Sequence, residues 1–306
     1  MAGFFLGGDI GGTASRFAVA DGTGAIVERG VAPGATGHTF NATARAELVR
    51  SIEQIAASLT RPVDAAVLGL TGYGPRARSD IEAIIGHHLG VVPERIFVSD
   101  DIELAFRALF QPGKGHLVSA GTGSIAVHLR EDGSIFRIGG RGILIDDAGA
   151  GAWIALAAVR ALYRRIDETG SPGDMQTLAN ALYAAIGADD WSDMRSFIYG
   201  GDRGRIGALA RPVAEAARAG DIFAQNLLVE AGHALARLGN ILIQRAGPHP
   251  VAFIGGVLKL DPVIADTIRR ELAGEALFPV LDQAEGAARL ALSLFSDNPA
   301  KSGSNP

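Results

Sequence analysis

Short apolar runs alternate with glycine-rich breaks from the start of the chain. From Phe4, F-F-L-G-G-D-I-G-G-T-A-S-R-F-A-V-A-D-G-T-G-A-I-V-E-R-G reads as strand, turn, strand, D-G turn and strand. Residues 41–59 then carry apolar side chains at the 3.6-residue period of a helix. The continuous apolar run 63–70 reads as a buried strand that stops at Thr71-Gly72. A helix over 80–89, a strand over 95–99 and a helix over 101–110 follow, and Q-P-G-K-G at 111–115 breaks the pattern, so a domain boundary is expected there. Beyond it, H-L-V-S-A-G-T-G-S-I-A-V-H-L-R-E-D-G-S-I-F-R-I-G-G repeats the opening order of turn, strand, D-G turn and strand. Gly12 corresponds to Gly121 at a spacing of 109 residues and Gly22 to Gly133 at 111, the register of an old duplication. Helices are predicted over 151–166, 174–186, 191–199, 206–219 and 222–245, then a strand over 251–254 and a helix over 262–272.

Strands that alternate with helices, with hairpins before the crossovers, predict an α/β chain with mixed sheets. Two domains are expected, 1–115 and 116–296, with a last helix over 285–295 returning to the first and a flexible tail over 297–306. Composition narrows the function classes. Charged residues make up 20% of the chain and the net charge is −5, with no basic run interleaved with aromatics, so no nucleic-acid partner is expected. The absence of cysteine removes disulfides, thiolate zinc sites and iron–sulfur ligation together. No signal-peptide pattern and no apolar stretch of roughly 20 residues is present, so a cytoplasmic protein without a membrane partner is the expectation. The seven histidines show no helical ligand spacing and none is read as a metal site.

Five groups of residues carry candidate chemistry. Gly11, Gly12 and Thr13, and Gly121, Thr122 and Gly123, let a backbone approach a phosphate with its N–H groups forward. A single such turn is as well explained as a tight hairpin, but the duplication favours a phosphate role for both. Asp9, at the end of the first strand, either closes its own turn or holds a hydrated Mg²⁺ beside the phosphates. Asp100 and Asp101 follow a strand end where ligands of α/β sheets collect; one serves as a helix cap and the other is free to accept a hydroxyl proton. The irregular segment G-G-R-G-I-L-I-D-D-A-G-A-G, from Gly139, reads as a site loop in which Asp147 meets a substrate hydroxyl and Arg141 a sugar substituent or a phosphate, with helix capping as the alternative for Asp146 and Asp147. Gly255 and Gly256 end a strand with bare backbone, either for a flat base and ribose or as a plain turn.

Taken in order, D-I-G-G-T, S-D-D-x-x-x-A, S-A-G-T-G-S, G-G-x-G-x-x-x-x-D-x-G and F-I-G-G-V resemble the phosphate-1, connecting, phosphate-2, substrate-loop and adenosine motifs of the actin-like ATPases, the superfamily of hexokinase and the heat-shock 70 chaperones. The chain is most similar to the BadF/BadG/BcrA/BcrD ATPase branch with its N-acetylglucosamine kinases. The resemblance implies duplicated ribonuclease H-like domains around a nucleotide cleft, with ATP and Mg²⁺ as cofactors. It implies Asp9 at the metal, the two glycine-threonine turns at the phosphates and Gly255-Gly256 at the adenosine. Asp101 becomes the catalytic base for the 6-hydroxyl of a small-molecule sugar, an amino sugar such as N-acetylglucosamine or glucosamine, with Thr71, Gly72, Arg141 and Asp147 beside it. A homodimer is implied as well. The family's activator ATPases hold an iron–sulfur cluster with cysteines, which this chain lacks; its related repressors carry an N-terminal helix-turn-helix, for which no room is expected before Asp9. Two other readings stay open, a nucleotide-dependent activator of a partner protein and a kinase of a muramic-type sugar whose carboxylate pairs with Arg141. The chain departs from the N-acetylglucosamine kinases it resembles: Gly37 lies near their expected Asn, with Asn41 four residues on, Arg141 stands for their Trp and Ala148 for their Glu.

Overall fold

The alternation near the start of the chain becomes an antiparallel meander in the structure, a computed structural model that describes residues 3–296. Its strands are β1 (Phe4–Ile10), β2 (Ala14–Asp21) and β3 (Ile26–Pro33). The D-G turn forms because the Asp21 carboxylate accepts from the amide and hydroxyl of Thr23, at 2.8 and 2.6 Å. On the other side of β1 the chain adds β4 (Ala65–Leu70) and β5 (Ile96–Ser99) in parallel, which gives the order β3-β2-β1-β4-β5. Parallel pairing requires crossovers, supplied by α1 (Ala42–Ser58) and α2 (Arg78–Leu89). Every residue of β4 is buried, as its continuous apolar run requires in the centre of a sheet covered on both faces.

One face of this sheet packs Leu6, Ile10 and Leu68 against Leu48 and Ile52 of α1 and Ile81 and Ile85 of α2. The other face packs Phe5, Ala65 and Val67 against α3 (Asp101–Leu109) and α11 (Gln283–Phe295). At Gly7 a Cβ would run into the backbone of Ala284 and Ala288, so β1 and α11 meet with no side chain between them. The first unit therefore joins the chain up to Gln111 with the segment from Leu281, and residues 112–280 form the second. The segment 297–306, expected to be a tail, lies outside the described residues.

The second unit repeats the topology. Its meander is β6 (His116–Ala120), β7 (Ser124–Leu129) and β8 (Ile135–Gly139), with β9 (Val251–Ile254) parallel to β6 and β10 (Ala276–Leu277) parallel to β9. The order β10-β9-β6-β7-β8 is that of the first unit, so the duplication read from the glycine register is present in the sheets. At two residues, β10 is too short to leave a periodic signal.

The crossover from β8 to β9 holds α4 (Gly151–Thr169), α5 (Gln176–Ile186), α6 (Trp191–Tyr199), α7 (Arg203–Ala208), α8 (Ala210–Arg218) and α9 (Ile222–Ala246); α10 (Pro262–Glu271) follows β9. The one helix predicted over 206–219 is two. Pro212 has no N–H to bond back to residue 208, so the ladder stops and restarts at Leu209. Among the described residues no helix is long and apolar enough to cross a membrane.

Candidate functional site

In the first unit the candidate residues collect at the carboxyl ends of β1, β4 and β5. Gly11, Gly12 and Thr13 link β1 to β2, and among the described residues the amides of Gly12 and Thr13 make no hydrogen bond. The loop after β3 seats this turn: the Ala35 amide donates to the Gly11 carbonyl at 3.0 Å, and Gly34 lies on the backbone of Gly12 and Thr13 with no space for a Cβ. Asp9 shares the sheet face of Phe5 and Gly7, toward α3 and α11. Burial first, then the carboxylate of Asp101 and more weakly that of Asp282, raise its pKa, while Arg16, its partner across β2, opposes them.

Asp100 and Asp101 divide their tasks by geometry. The Asp100 carboxylate accepts from the Glu103 amide at 2.6 Å and caps α3. Asp101, the first helical residue, accepts instead from the Thr71 hydroxyl at 3.0 Å. Thr71 extends β4 by one bond, its amide donating to the Ile10 carbonyl at 3.0 Å, so it is held to the strand that carries Asp9. Gly72 has φ +75°, and a Cβ there would sit 2.5 Å from Nε2 of His38. Gly37 donates its amide to the Thr71 carbonyl and lies on the Tyr73 backbone, 2.7 Å from where its own Cβ would stand. No side chain fits at Gly37.

In the second unit Gly121, Thr122 and Gly123 join β6 to β7, and α4 begins directly on them. Its amides at Gly151 and Ala152 donate to the Gly121 and Thr122 carbonyls at 2.9 and 3.1 Å, in place of a side-chain cap. Asp147 is 5% exposed, and its φ of +70° makes it the one non-glycine residue with positive φ among those described. Its carboxylate lies against Gly123 and accepts from the Gly142 amide at 3.2 Å; burial raises its pKa. Asp147 thus ties the irregular loop to the second turn. Asp146 accepts from the Ala148 amide at 3.2 Å, and Arg141 is exposed with no partner among the described residues. Gly255, at φ +112°, is pressed onto the Ala120 carbonyl, whereas the space around Gly256 is open.

Two features escaped the sequence reading. Loops 37–40 and 72–80 enclose a cavity of about 760 Å³ in the first unit, lined among others by His38, Phe40, Tyr73 and Arg76. Its sequence signal was slight: an arginine after the Gly-Tyr-Gly-Pro turn, with no obvious partner.

The second is a histidine cluster at the amino end of β6. His116, His128 and His249 meet with ring centroids 4.9 to 5.5 Å apart, although their spacing in the chain is irregular. Nε2 of His116 bonds the Gly247 carbonyl at 2.8 Å and Nδ1 of His128 bonds the Gly115 carbonyl at 2.9 Å. Among the described residues no group of three or more histidine, aspartate or glutamate side chains is arranged to hold a metal ion. The cluster's consequence is acid sensitivity. His116 is fully buried, and burial lowers its pKa from 6.5 to about 4. The unfolded chain takes up this proton near pH 6.5 and the folded chain only near pH 4. Stability held above pH 6.5 is therefore lost as the pH falls through that window, by about 3 kcal/mol from this residue. Urea unfolding at pH 7 and at pH 4.5 is expected to give a smaller difference for His116→Phe than for wild type; an equal difference would remove His116 from the account.

Comparison with known proteins identifies the family and the fold. The model of the BadF/BadG/BcrA/BcrD ATPase family matches residues 6–291. The N-acetylmuramic acid/N-acetylglucosamine kinase of Clostridium acetobutylicum is 29% identical over 143 residues, 46% of each chain. The N-acetyl-D-glucosamine kinase of Dictyostelium discoideum is 27% identical over 192 residues, 58% of this chain and 59% of that one. The chain spans about half the length of these curated relatives. The crystal structure of a candidate N-acetylglucosamine kinase from Chromobacterium violaceum superposes with a TM-score of 0.68 at 26% identity, over 94% of this chain and 98% of that one. With a family match running from β1 into α11, the chain belongs to the BadF/BadG/BcrA/BcrD ATPase family.

Proposed function

We propose that this protein is an ATP-dependent sugar kinase that phosphorylates the 6-hydroxyl of an amino sugar, N-acetylglucosamine or glucosamine. The observation that carries this reading is the hydrogen bond from Thr71 to Asp101 beside Asp9, with the capping of α3 left to Asp100. A helix cap needs one carboxylate; the second is then available for chemistry. The names of the Clostridium and Dictyostelium relatives supply the sugar.

In this reading the Thr71 hydroxyl occupies one oxygen of the Asp101 carboxylate and orients the group, and the sugar hydroxyl donates to it. As the sugar oxygen bonds to the γ-phosphorus, its proton passes to Asp101, the bond to the β,γ-bridging oxygen breaks, and ADP leaves. The free amides of Gly12 and Thr13, and the second glycine-threonine turn, serve the phosphates. Gly256, with open space around it, borders the adenosine.

A divalent cation fits beside Asp9. Burial and two neighbouring aspartates already press on that carboxylate, and a cation relieves all three. Mg²⁺ suits a site with one carboxylate because it retains several waters; when bound it neutralises charge on the phosphate oxygens. Asp147 keeps the loop that carries Arg141 against the second turn, and in this reading meets a hydroxyl of the sugar.

The test is a panel of hexoses incubated with Mg-ATP, with ADP and sugar phosphate both measured. Equal amounts of the two from an amino sugar are expected. Sugar-independent ADP release without a phosphorylated product overturns the kinase reading and favours a nucleotide-driven activator. A muramic-type acceptor is the second reading. It is favoured by the Clostridium relative, named for N-acetylmuramic acid as well.

A further inference from the structure

The cavity of about 760 Å³ beside Gly72 is large for a lone hexose. A hexose has about a dozen non-hydrogen atoms, whereas cavities of roughly 300–1,000 Å³ hold drug-sized ligands. Its wall includes Gly72, which follows Thr71, the residue whose hydroxyl holds Asp101.

The charges around it are unbalanced. Asp80, the carboxylate on its wall, is bound by Arg45 at 2.9 Å, which holds its pKa below the usual range. Arg78 is likewise taken by Glu82 at 2.7 Å. Arg76 remains exposed and makes no hydrogen bond or ion pair among the described residues. The other walls are aromatic: His38 and Phe40 meet at 5.5 Å between ring centroids, Phe40 is 86% exposed, and Tyr73 is half-buried. An unpaired guanidinium beside aromatic walls suits a carboxylate on an otherwise weakly polar substituent, since a planar guanidinium matches a carboxylate with two parallel hydrogen bonds.

We propose that this cavity is a subsite for a carboxylate-bearing substituent of the sugar acceptor, with Arg76 as the residue that selects the acid. The proposal rests on the sugar-kinase reading and assigns the carboxylate to Arg76 in the first unit, where the sequence alone pointed to Arg141.

The test compares N-acetylmuramic acid with N-acetylglucosamine as acceptors, by initial rate and by calorimetric binding, for wild type, Arg76→Gln, Arg76→Lys and Arg141→Gln. Arg76→Gln is expected to lower the ratio of kcat/KM for the acid over the neutral sugar at least tenfold, the scale of one lost charge-assisted contact. The loss is expected mainly in KM, with partial recovery in Arg76→Lys. An unchanged ratio in Arg76→Gln overturns the proposal, and so does a loss produced by Arg141→Gln alone. If neither sugar is phosphorylated, the kinase reading fails by itself. Calorimetry then still decides the subsite: acid binding that Arg76→Gln weakens tenfold supports it, and absent or unaltered binding overturns it.

Discussion

Asp101→Asn is expected to lower kcat for sugar phosphorylation about 100- to 10,000-fold, the usual contribution of a positioned general base, while the KM for ATP changes little. The substitution is conservative in shape. An asparagine carbonyl at this position still accepts from the Thr71 hydroxyl, now 3.0 Å from the carboxylate, so the end of β4 and the start of α3 stay joined. What is lost is the capacity to take a proton. The neighbouring position provides the contrast: Asp100→Ala removes the cap on the Glu103 amide and is expected to cost about 1 kcal/mol of stability, with the transfer rate retained. Rates from paired measurement of ADP and sugar phosphate, together with urea unfolding of both variants, separate the two roles. Near-full transfer by Asp101→Asn would remove it as the base.

The second large effect is expected at Gly255→Ala, through the fold. Its φ of +112° lies in a region that side chains rarely adopt, and a Cβ there would run into the Ala120 carbonyl. Ala120 cannot move aside, because it is paired with Ser124 on β7 and follows the parallel contact of Ser119 with Ile254. Backbone strain of about 1–3 kcal/mol and overpacking of similar size give a destabilisation of about 3–5 kcal/mol, read as a fall in the urea midpoint. Gly256→Ala meets open space and is expected to stay within about 1 kcal/mol of wild type. The same pair reports on the nucleotide: if Gly256 borders the adenosine, Gly256→Ala weakens ATP binding while leaving stability near wild type. A Gly255→Ala protein as stable as wild type would mean that β9 meets β6 less closely than the structure has it.

Much of this protein was legible because its elements are local. The meander residues from Phe4 repeat after His116 in the same order, and the sheets repeat with them. The helix predicted over 222–245 is α9, Ile222–Ala246, since a long period-3.6 pattern with an aspartate cap needs no distant partner to be recognised. Where the reading was less complete, the cause was non-local or too short to signal. β10 is two residues whose strand identity comes from pairing with β9. The division at Leu209 turned on Pro212, a missing donor inside an otherwise helical pattern.

The candidate site divides in the same way. The glycine-threonine turns, Asp9, the Asp100-Asp101 pair and Gly255-Gly256 are readable because their spacing along the chain is also their spacing at a strand end. The Thr71 bond to Asp101 spans 30 residues, and Gly37 fits beneath Tyr73 across 36; neither is visible as a pattern. Periodicity and turn chemistry are properties of neighbours in the chain, so the sequence by itself determined the two-fold repeat, the α/β class and the glycine turns. Only tertiary structure decided that Asp101 meets Thr71, that Arg76 stands unpaired beside a cavity, and that three scattered histidines share one cluster. Burial, charge pairing and hydrogen-bond partners are set by residues the chain brings together only on folding.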